Sequence, residues 1–62
     1  MSTPDWKRKL QTLSDQFSLA ELAIDLGCRS EEVRRMLYEA GYQPSDEQVI
    51  RIGEVYDEMR EE

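Results

Sequence analysis

A short corner between two helical segments constrains the fold of this chain more than any other feature. Two amphipathic stretches lie within residues 18–40, and only about three residues, Gly27, Cys28 and Arg29, separate them. Gly27 can adopt the left-handed backbone conformation that ends many helices. A connector this short makes the two helices cross sharply around a shared apolar cluster. The corner therefore predicts helices packed on one another rather than a sheet.

Capping residues mark where the helices begin. Ser18 and Glu21 form a capping box, in which the side chain of each residue satisfies the backbone amide of the other. Ser45 and Gln48 have the same spacing, with glutamine in place of glutamate. Ser30 is predicted to cap the helix that follows the corner. Three of the helix starts are thus predicted from local hydrogen-bonding chemistry alone.

Apolar residues recur at spacings of three and four, which is typical of one buried face of an α-helix. With Thr3 as a further cap and Gly41 as a stop, the sequence predicts an all-α fold of four short helices. Their expected bounds are about 4–17, 19–26, 31–40 and 46–60. Ala40 is assigned to the apolar face of the third helix. Gly53 costs the fourth helix about 1 kcal/mol relative to alanine, and we interpret it as a point where another helix approaches closely.

The composition excludes several classes of protein. With 62 residues, the chain is expected to form one domain, 1–62, near the lower limit for folding on a single core. It has one cysteine and no histidine, so we predict no internal disulfide, no metal or cofactor site and no catalytic activity. Cys28 is interpreted as a small buried core residue rather than a redox switch. Lacking a long apolar run or a signal peptide, the chain is expected to be cytoplasmic and to have no membrane partner.

The corner also carries a family resemblance. The order Ala23, Gly27 and Val33 resembles the signature of the helix-turn-helix motif in small bacterial and phage DNA-binding regulators, here at residues 19–40. The resemblance implies that the third helix enters the major groove of double-stranded DNA, and that the protein regulates transcription as a homodimer. Carried over position by position, it implies that the groove-facing residues are Arg29, Ser30, Glu31, Arg34, Arg35 and Tyr38.

The charge distribution is compatible with DNA binding, although the chain has a net charge of −6. Residues 1–43 contain seven acids and six bases, whereas residues 44–62 contain seven acids and two bases. Phosphate attraction depends on the local potential within a Debye length of about 8 Å, so an acidic last helix does not exclude it. Lys7, Arg8 and Lys9 are further candidates for contact with the DNA backbone. Glu31 and Glu32 oppose such contacts, because their charge repels phosphate.

Two structural alternatives remain open at this level. Arg34 and Arg35 can instead pair with the glutamates of their own helix at spacings of three to five residues. The apolar stripe of the fourth helix either docks on the first three helices or forms the seam of a homodimer. The stripe consists of Val49, Ile52, Val55, Tyr56 and Met59.

Two functional alternatives also remain open. The acidic fourth helix can bind a basic protein partner, so that the chain acts as an inhibitor, a DNA mimic or an adaptor. The stretch SLAELAIDLGCRSEEVRRMLYEAGY, followed by a helix that opens with SDEQV, is also similar in layout to the small N-terminal helical module of bacterial translation initiation factor two. That second resemblance implies a role facing RNA or the ribosome.

Overall fold

Four α-helices make up the fold over residues 3–60, which are the residues that the computed structural model describes. The helices are α1 (Asp5–Gln16), α2 (Leu19–Leu26), α3 (Ser30–Tyr38) and α4 (Asp46–Arg60). No strand occurs within this range, and the prediction of an all-α fold with four helices is confirmed. The predicted bounds of α2 and α4 agree with the structure residue for residue.

The first helix is shorter than predicted at both ends. Its N-cap is Pro4 rather than Thr3, and no side chain caps it. The Pro4 carbonyl accepts hydrogen bonds from the backbone amides of Lys7 and Arg8 at 3.1 and 3.2 Å, so the helix begins at Asp5. At the other end, Phe17 has an extended backbone, so α1 ends at Gln16 rather than at residue 17.

The predicted start and end of the third helix are also wrong. Arg29 is its N-cap without a side-chain hydrogen bond, so Ser30 is the first helical residue and does not cap it. The helix ends at Tyr38, because Glu39 has left helical geometry with φ −85° and ψ 116°. Ala40 is therefore exposed instead of lying on the apolar face.

A single apolar core lies where the four helices meet. α1 packs against each of the other three helices, and α2 packs against both α3 and α4. The buried side chains are Leu10, Leu13, Leu22, Ala23, Leu26, Val33, Met36, Leu37, Ile52 and Val55. Ile52 and Val55 of the α4 stripe thus dock on the first three helices, and neither is available at the surface as a dimer seam. Val49, Tyr56 and Met59 are half-buried.

The corner between α2 and α3 has the predicted geometry. The Glu21 amide donates to the Ser18 hydroxyl at 3.2 Å, and the Ser18 amide donates to the Glu21 carboxylate at 3.3 Å. Gly27 has a left-handed backbone with φ 70°, and the amide of Cys28 donates a hydrogen bond to the Ala23 carbonyl at 2.9 Å. Because α2 ends here and α3 begins three residues later, the corner fixes where the outer side of α3 lies.

The interpretation of Gly53 as a point of close approach is wrong. A Cβ atom added at this position would meet nothing within 4 Å. Gly53 therefore weakens α4 without allowing closer packing.

Candidate nucleic-acid interface

The third helix has an inner and an outer side, as its periodicity requires. Val33 and Met36 are fully buried and Leu37 is nearly so, which holds the inner side against α1 and α2. Arg34 and Arg35 lie between these positions in sequence and are exposed. Side chains three and four residues apart share one side of a helix, so the predicted DNA-facing residues project away from the core.

Four of the six predicted groove-facing residues belong to one surface. Glu31, Arg34, Arg35 and Tyr38 line a shallow depression together with Glu39, and we call this surface the outer face of α3. Glu31 lies one helical turn before both arginines, and Tyr38 lies one turn after them. Tyr38 is 75% exposed, which is unusual for a large aromatic residue.

The two arginines of this face differ in their ion pairs. Arg35 Nε lies 3.2 Å from Glu39 Oε2, and both side chains are about half exposed. Arg34 forms no ion pair with any residue between 3 and 60, and neither arginine pairs with Glu31 or Glu32 in that range. An exposed ion pair contributes about 0–1 kcal/mol, so a phosphate group can replace Glu39 at little cost.

Arg29 occupies a different surface from the other two arginines. It lines a groove between the corner and the start of α4, with Glu32 and Glu47 in the same lining. Ser30 is exposed at the first position of α3. The six predicted residues therefore do not form one continuous surface, because Arg29 stands among carboxylates rather than beside Arg34 and Arg35.

Cys28 is half-buried in the same groove and packs against the core, whereas the sequence predicts a buried core residue. Its partial burial raises the pKa of the thiol above the usual value, and the negative charge of Glu32 raises it further. The thiolate is the reactive form of cysteine. A raised pKa keeps Cys28 protonated near neutral pH, so its environment favours packing over redox chemistry.

The basic triplet of α1 is divided between two surfaces. Arg8 and Lys9 both pair with Asp5, at 3.1 and 3.3 Å, and the hydrogen bond from Lys9 is the largest cause of the lowered pKa of Asp5. The Lys9 ammonium also lies 5.6 Å from the centre of the Tyr56 ring. Lys7 lines another depression, beside Trp6 and Tyr42. The three bases therefore do not form a single patch.

Two polar residues of α4 tie it to both helices of the corner. Arg51 Nε donates to the backbone carbonyl of Asp25 at 2.8 Å, which satisfies one of the carbonyls left without a partner at the end of α2. Gln48 donates to the Glu32 carboxylate at 3.4 Å and so reaches α3. No local sequence pattern predicts these contacts. The only available signal was Arg51, a lone base in the middle of an acidic helix.

The outer side of α4 carries an exposed apolar residue among acids. Ile50 is 62% exposed, and its neighbours one turn away along the helix are Asp46, Glu47 and Glu54 together with Gly53. We call this surface the acidic face of α4, and it consists of Asp46, Glu47, Ile50, Glu54 and Asp57. Ile24 of α2 is exposed as well, so α4 does not cover it.

The fold defines a class: a small all-α domain in which two helices meet at a tight, glycine-containing corner and a last helix braces both. Comparisons with family models, with curated proteins and with solved structures find no match. The resemblance to helix-turn-helix regulators therefore rests on residues 19–40 alone. Over residues 3–60, no group of three acidic, cysteine or histidine side chains is arranged to hold a metal ion. None of the helices described there has the length and apolar character to cross a membrane.

Proposed function

We propose that this chain is a small DNA-binding transcriptional regulator that inserts α3 into the major groove. The observation that carries the proposal is the outer face of α3, where Arg34, Arg35 and Tyr38 are exposed together. The opposite side of the same helix is fixed in the core by Val33 and Met36. A rigid helix that presents arginines outward is the arrangement by which helix-turn-helix proteins read base edges.

Four exposed residues of α3 have a defined task in this proposal. Arg34, which has no carboxylate partner within residues 3–60, is free to donate two hydrogen bonds to a guanine edge. Arg35 exchanges Glu39 for a phosphate group, which gives a stronger, charge-assisted contact. The exposed Ser30 hydroxyl at the start of α3 donates to a neighbouring phosphate. Glu31 accepts from a cytosine amino group and disfavours other bases at that position.

Binding by a single molecule is expected to be weak and sensitive to salt. The face offers two arginines, and the rest of the chain contributes a net negative charge. The logarithm of the affinity for duplex DNA falls with the logarithm of the salt concentration by a slope of about −0.9 for each phosphate that a base neutralises. The one such contact assigned here, that of Arg35, gives a loss of roughly 3.5-fold between 50 and 200 mM salt.

The test is a fluorescence-anisotropy titration of random duplex DNA at those two salt concentrations. Wild type is compared with the double variant Arg34→Gln/Arg35→Gln, which we expect to lose most of its affinity and to show a slope reduced by about one, because only Arg35 is assigned to a phosphate. The matched control is Gln11→Glu/Gln16→Glu, which changes the net charge by the same amount at exposed positions of α1. The control should retain most of the wild-type affinity.

Two outcomes would contradict the proposal. One is an absence of wild-type binding at 50 mM salt. The other is equal loss of affinity in the arginine variant and its charge-matched control, because net charge rather than the outer face of α3 would then govern binding. Far-UV circular dichroism of each variant checks that the helices are intact.

A second candidate function is a protein-interaction module, and the exposed Ile50 is the observation that favours it. An apolar side chain among Glu47, Glu54 and Asp57 suits a basic partner that carries an apolar anchor. Ile50→Lys separates the two functions, since it should abolish partner binding and leave DNA binding unchanged or slightly stronger.

A further inference from the structure

A shallow depression between α1 and α4 gathers positive charge, although the chain as a whole is acidic. α1 contributes Arg8 and Lys9 to it, and the last turn of α4 contributes Arg60. In the outer face of α3 and in the groove at the corner, two bases stand beside two acids. Here three bases stand beside one carboxylate, and the full lining is Asp5, Arg8, Lys9, Thr12, Tyr56 and Arg60.

One aromatic ring holds two of these bases in place. The Lys9 ammonium and the Arg60 guanidinium each lie 5.6 Å from the centre of the Tyr56 ring, whose electron-rich face attracts cations. Tyr56 is half-buried and packs against the core, so the position of its ring is fixed by the packing of α4 on α1. Two like charges from different helices therefore converge on one ordered group, and a bound anion would relieve their mutual repulsion.

The carboxylate of the depression shows how an oxyanion is held there. Asp5 Oδ1 lies 3.1 Å from Arg8 Nη2, and Asp5 Oδ2 lies 3.3 Å from Lys9 Nζ, so one carboxylate contacts two bases. Arg60 pairs with no carboxylate of residues 3–60, although Asp57 precedes it by one turn. Since one negative charge stands against three positive ones in the lining, two positive charges remain uncompensated there.

We propose that this depression binds the terminal phosphate group of a small phosphomonoester. Such a group carries a charge of about −1.5 to −2 near neutral pH, which matches the two uncompensated charges, and it has three acceptor oxygens. Arg8 and Arg60 supply guanidinium donors that suit phosphate oxygens, and Lys9 adds a compact positive charge. Asp5 then competes with the ligand for the two bases of α1.

The size and shape of the depression favour a small ligand over a nucleic-acid strand. Its volume of about 330 Å³ is at the small end for ligand sites. A strand presents a row of singly charged phosphates, whereas the three bases converge on one place. The assignment therefore does not rest on the DNA binding that we propose for α3.

NMR titration with two small phosphate esters tests the site. Methyl phosphate carries the terminal dianion at about pH 7.5, whereas dimethyl phosphate has a single charge and imitates a nucleic-acid backbone. At low salt, methyl phosphate should shift the backbone amide signals of Lys9 and Tyr56 and the Nε–H signals of Arg8 and Arg60. We expect a Kd of about 1 mM, and binding about tenfold tighter than that of dimethyl phosphate, because the second charge doubles the Coulombic attraction.

Variants that remove bases connect binding to the depression. Lys9→Gln/Arg60→Gln should weaken the binding of methyl phosphate by about tenfold or more, because two charge-assisted contacts are lost. Arg29→Gln/Arg34→Gln is the matched control, since it removes the same charge at exposed positions outside the depression, and it should bind nearly as tightly as wild type.

A second pair of variants tests the competition by Asp5. Asp5→Asn removes the competing carboxylate and should tighten binding by about threefold, because the exposed ion pairs that it breaks are individually weak. Asp15→Asn changes the charge equally at an exposed position of the same helix outside the depression, and it should have little effect.

Four outcomes overturn the proposal. They are a lack of shifts with methyl phosphate well above about 1 mM, equal affinity for the two esters, equal losses in the base variant and its matched control, and no tighter binding by Asp5→Asn than by Asp15→Asn. If the double base variant loses helical circular dichroism, Arg8→Gln takes its place, since that side chain is 68% exposed, and it should weaken binding severalfold. Failure to bind DNA in the separate titration leaves these outcomes unchanged.

Discussion

The third and fourth helices bury similar side chains and differ in the charges that they expose. α3 places Val33 and Met36 fully inside, and α4 places Ile52 there. On the outside, α3 presents Arg34 and Arg35, whereas α4 is dominated by carboxylates. The two helices thus contribute similar apolar groups to one core, whereas α3 exposes arginines beside Glu31 and α4 exposes mainly carboxylates.

The difference shows that folding depends on the inner sides of these helices, whereas recognition depends on their outer sides. Inner positions must be apolar and of fitting volume, since protein interiors are close-packed. Outer positions are free of that constraint, because substitutions there usually change stability by less than about 0.5 kcal/mol. The charges of the outer sides are therefore the part of this molecule that selection for a partner can set independently.

Matched alanine substitutions on the two sides of α4 should give the largest contrast. Ile52→Ala removes a fully buried side chain, and we expect it to lower the free energy of unfolding by about 2–5 kcal/mol. Ile50→Ala, two residues away on the exposed side, should change it by less than about 0.5 kcal/mol. Urea denaturation followed by circular dichroism measures both. Equal losses would mean that the outer side of α4 is packed after all, contrary to its 62% exposure.

The inner sides are the part of this molecule that is predictable from sequence. Spacings of three and four and a left-handed glycine at residue 27 determine which positions face the core. The bounds of α2 and α4 were correct because complete capping boxes begin both helices. The predicted starts of α1 and α3 are wrong by one residue, because Pro4 and Arg29 begin them without a side-chain hydrogen bond. Their predicted ends are wrong by one and two residues, because Phe17 and Glu39 have left helical geometry.

Two serines at helix starts give the next contrast: Ser45 precedes α4, and Ser30 is the first residue of α3. The Ser45 amide donates to the Gln48 side chain at 2.9 Å, and the Gln48 amide donates to the Ser45 hydroxyl at 3.3 Å. Ser45→Ala should therefore cost about 1 kcal/mol. Ser30→Ala should cost close to nothing, since Ser30 is the first helical residue and Arg29 is the N-cap. Thermal melts of the two variants measure these changes in stability. A larger loss of stability for Ser30→Ala than for Ser45→Ala would mean that Ser30 does cap α3.

The composition of the candidate site was less predictable than the core. The spacing of Arg34, Arg35 and Tyr38 on one helix put them on a common side, as the structure shows. Spacing along one helix does not predict which residues of another helix lie nearby, so it does not place Arg29 in a groove with Glu47 of α4. The contact of Arg51 with the Asp25 carbonyl joins residues 26 positions apart, and no local pattern encodes it.

Glycine substitutions are expected to give the smallest effect on stability. They bear on the comparison of the two helices because α4 contains a glycine and α3 does not. Gly53→Ala adds a methyl group where nothing lies within 4 Å, so α4 should gain about 0.5–1 kcal/mol of helix stability. Gly27→Ala is the matched control, since it also meets nothing within 4 Å but has φ 70°. Alanine is strained there, so this variant should lose stability. If the urea midpoints of the two variants move in opposite directions, backbone conformation rather than steric space decides the effect of alanine at these glycines. A loss of stability in Gly53→Ala would mean instead that a neighbouring helix does approach Gly53 closely.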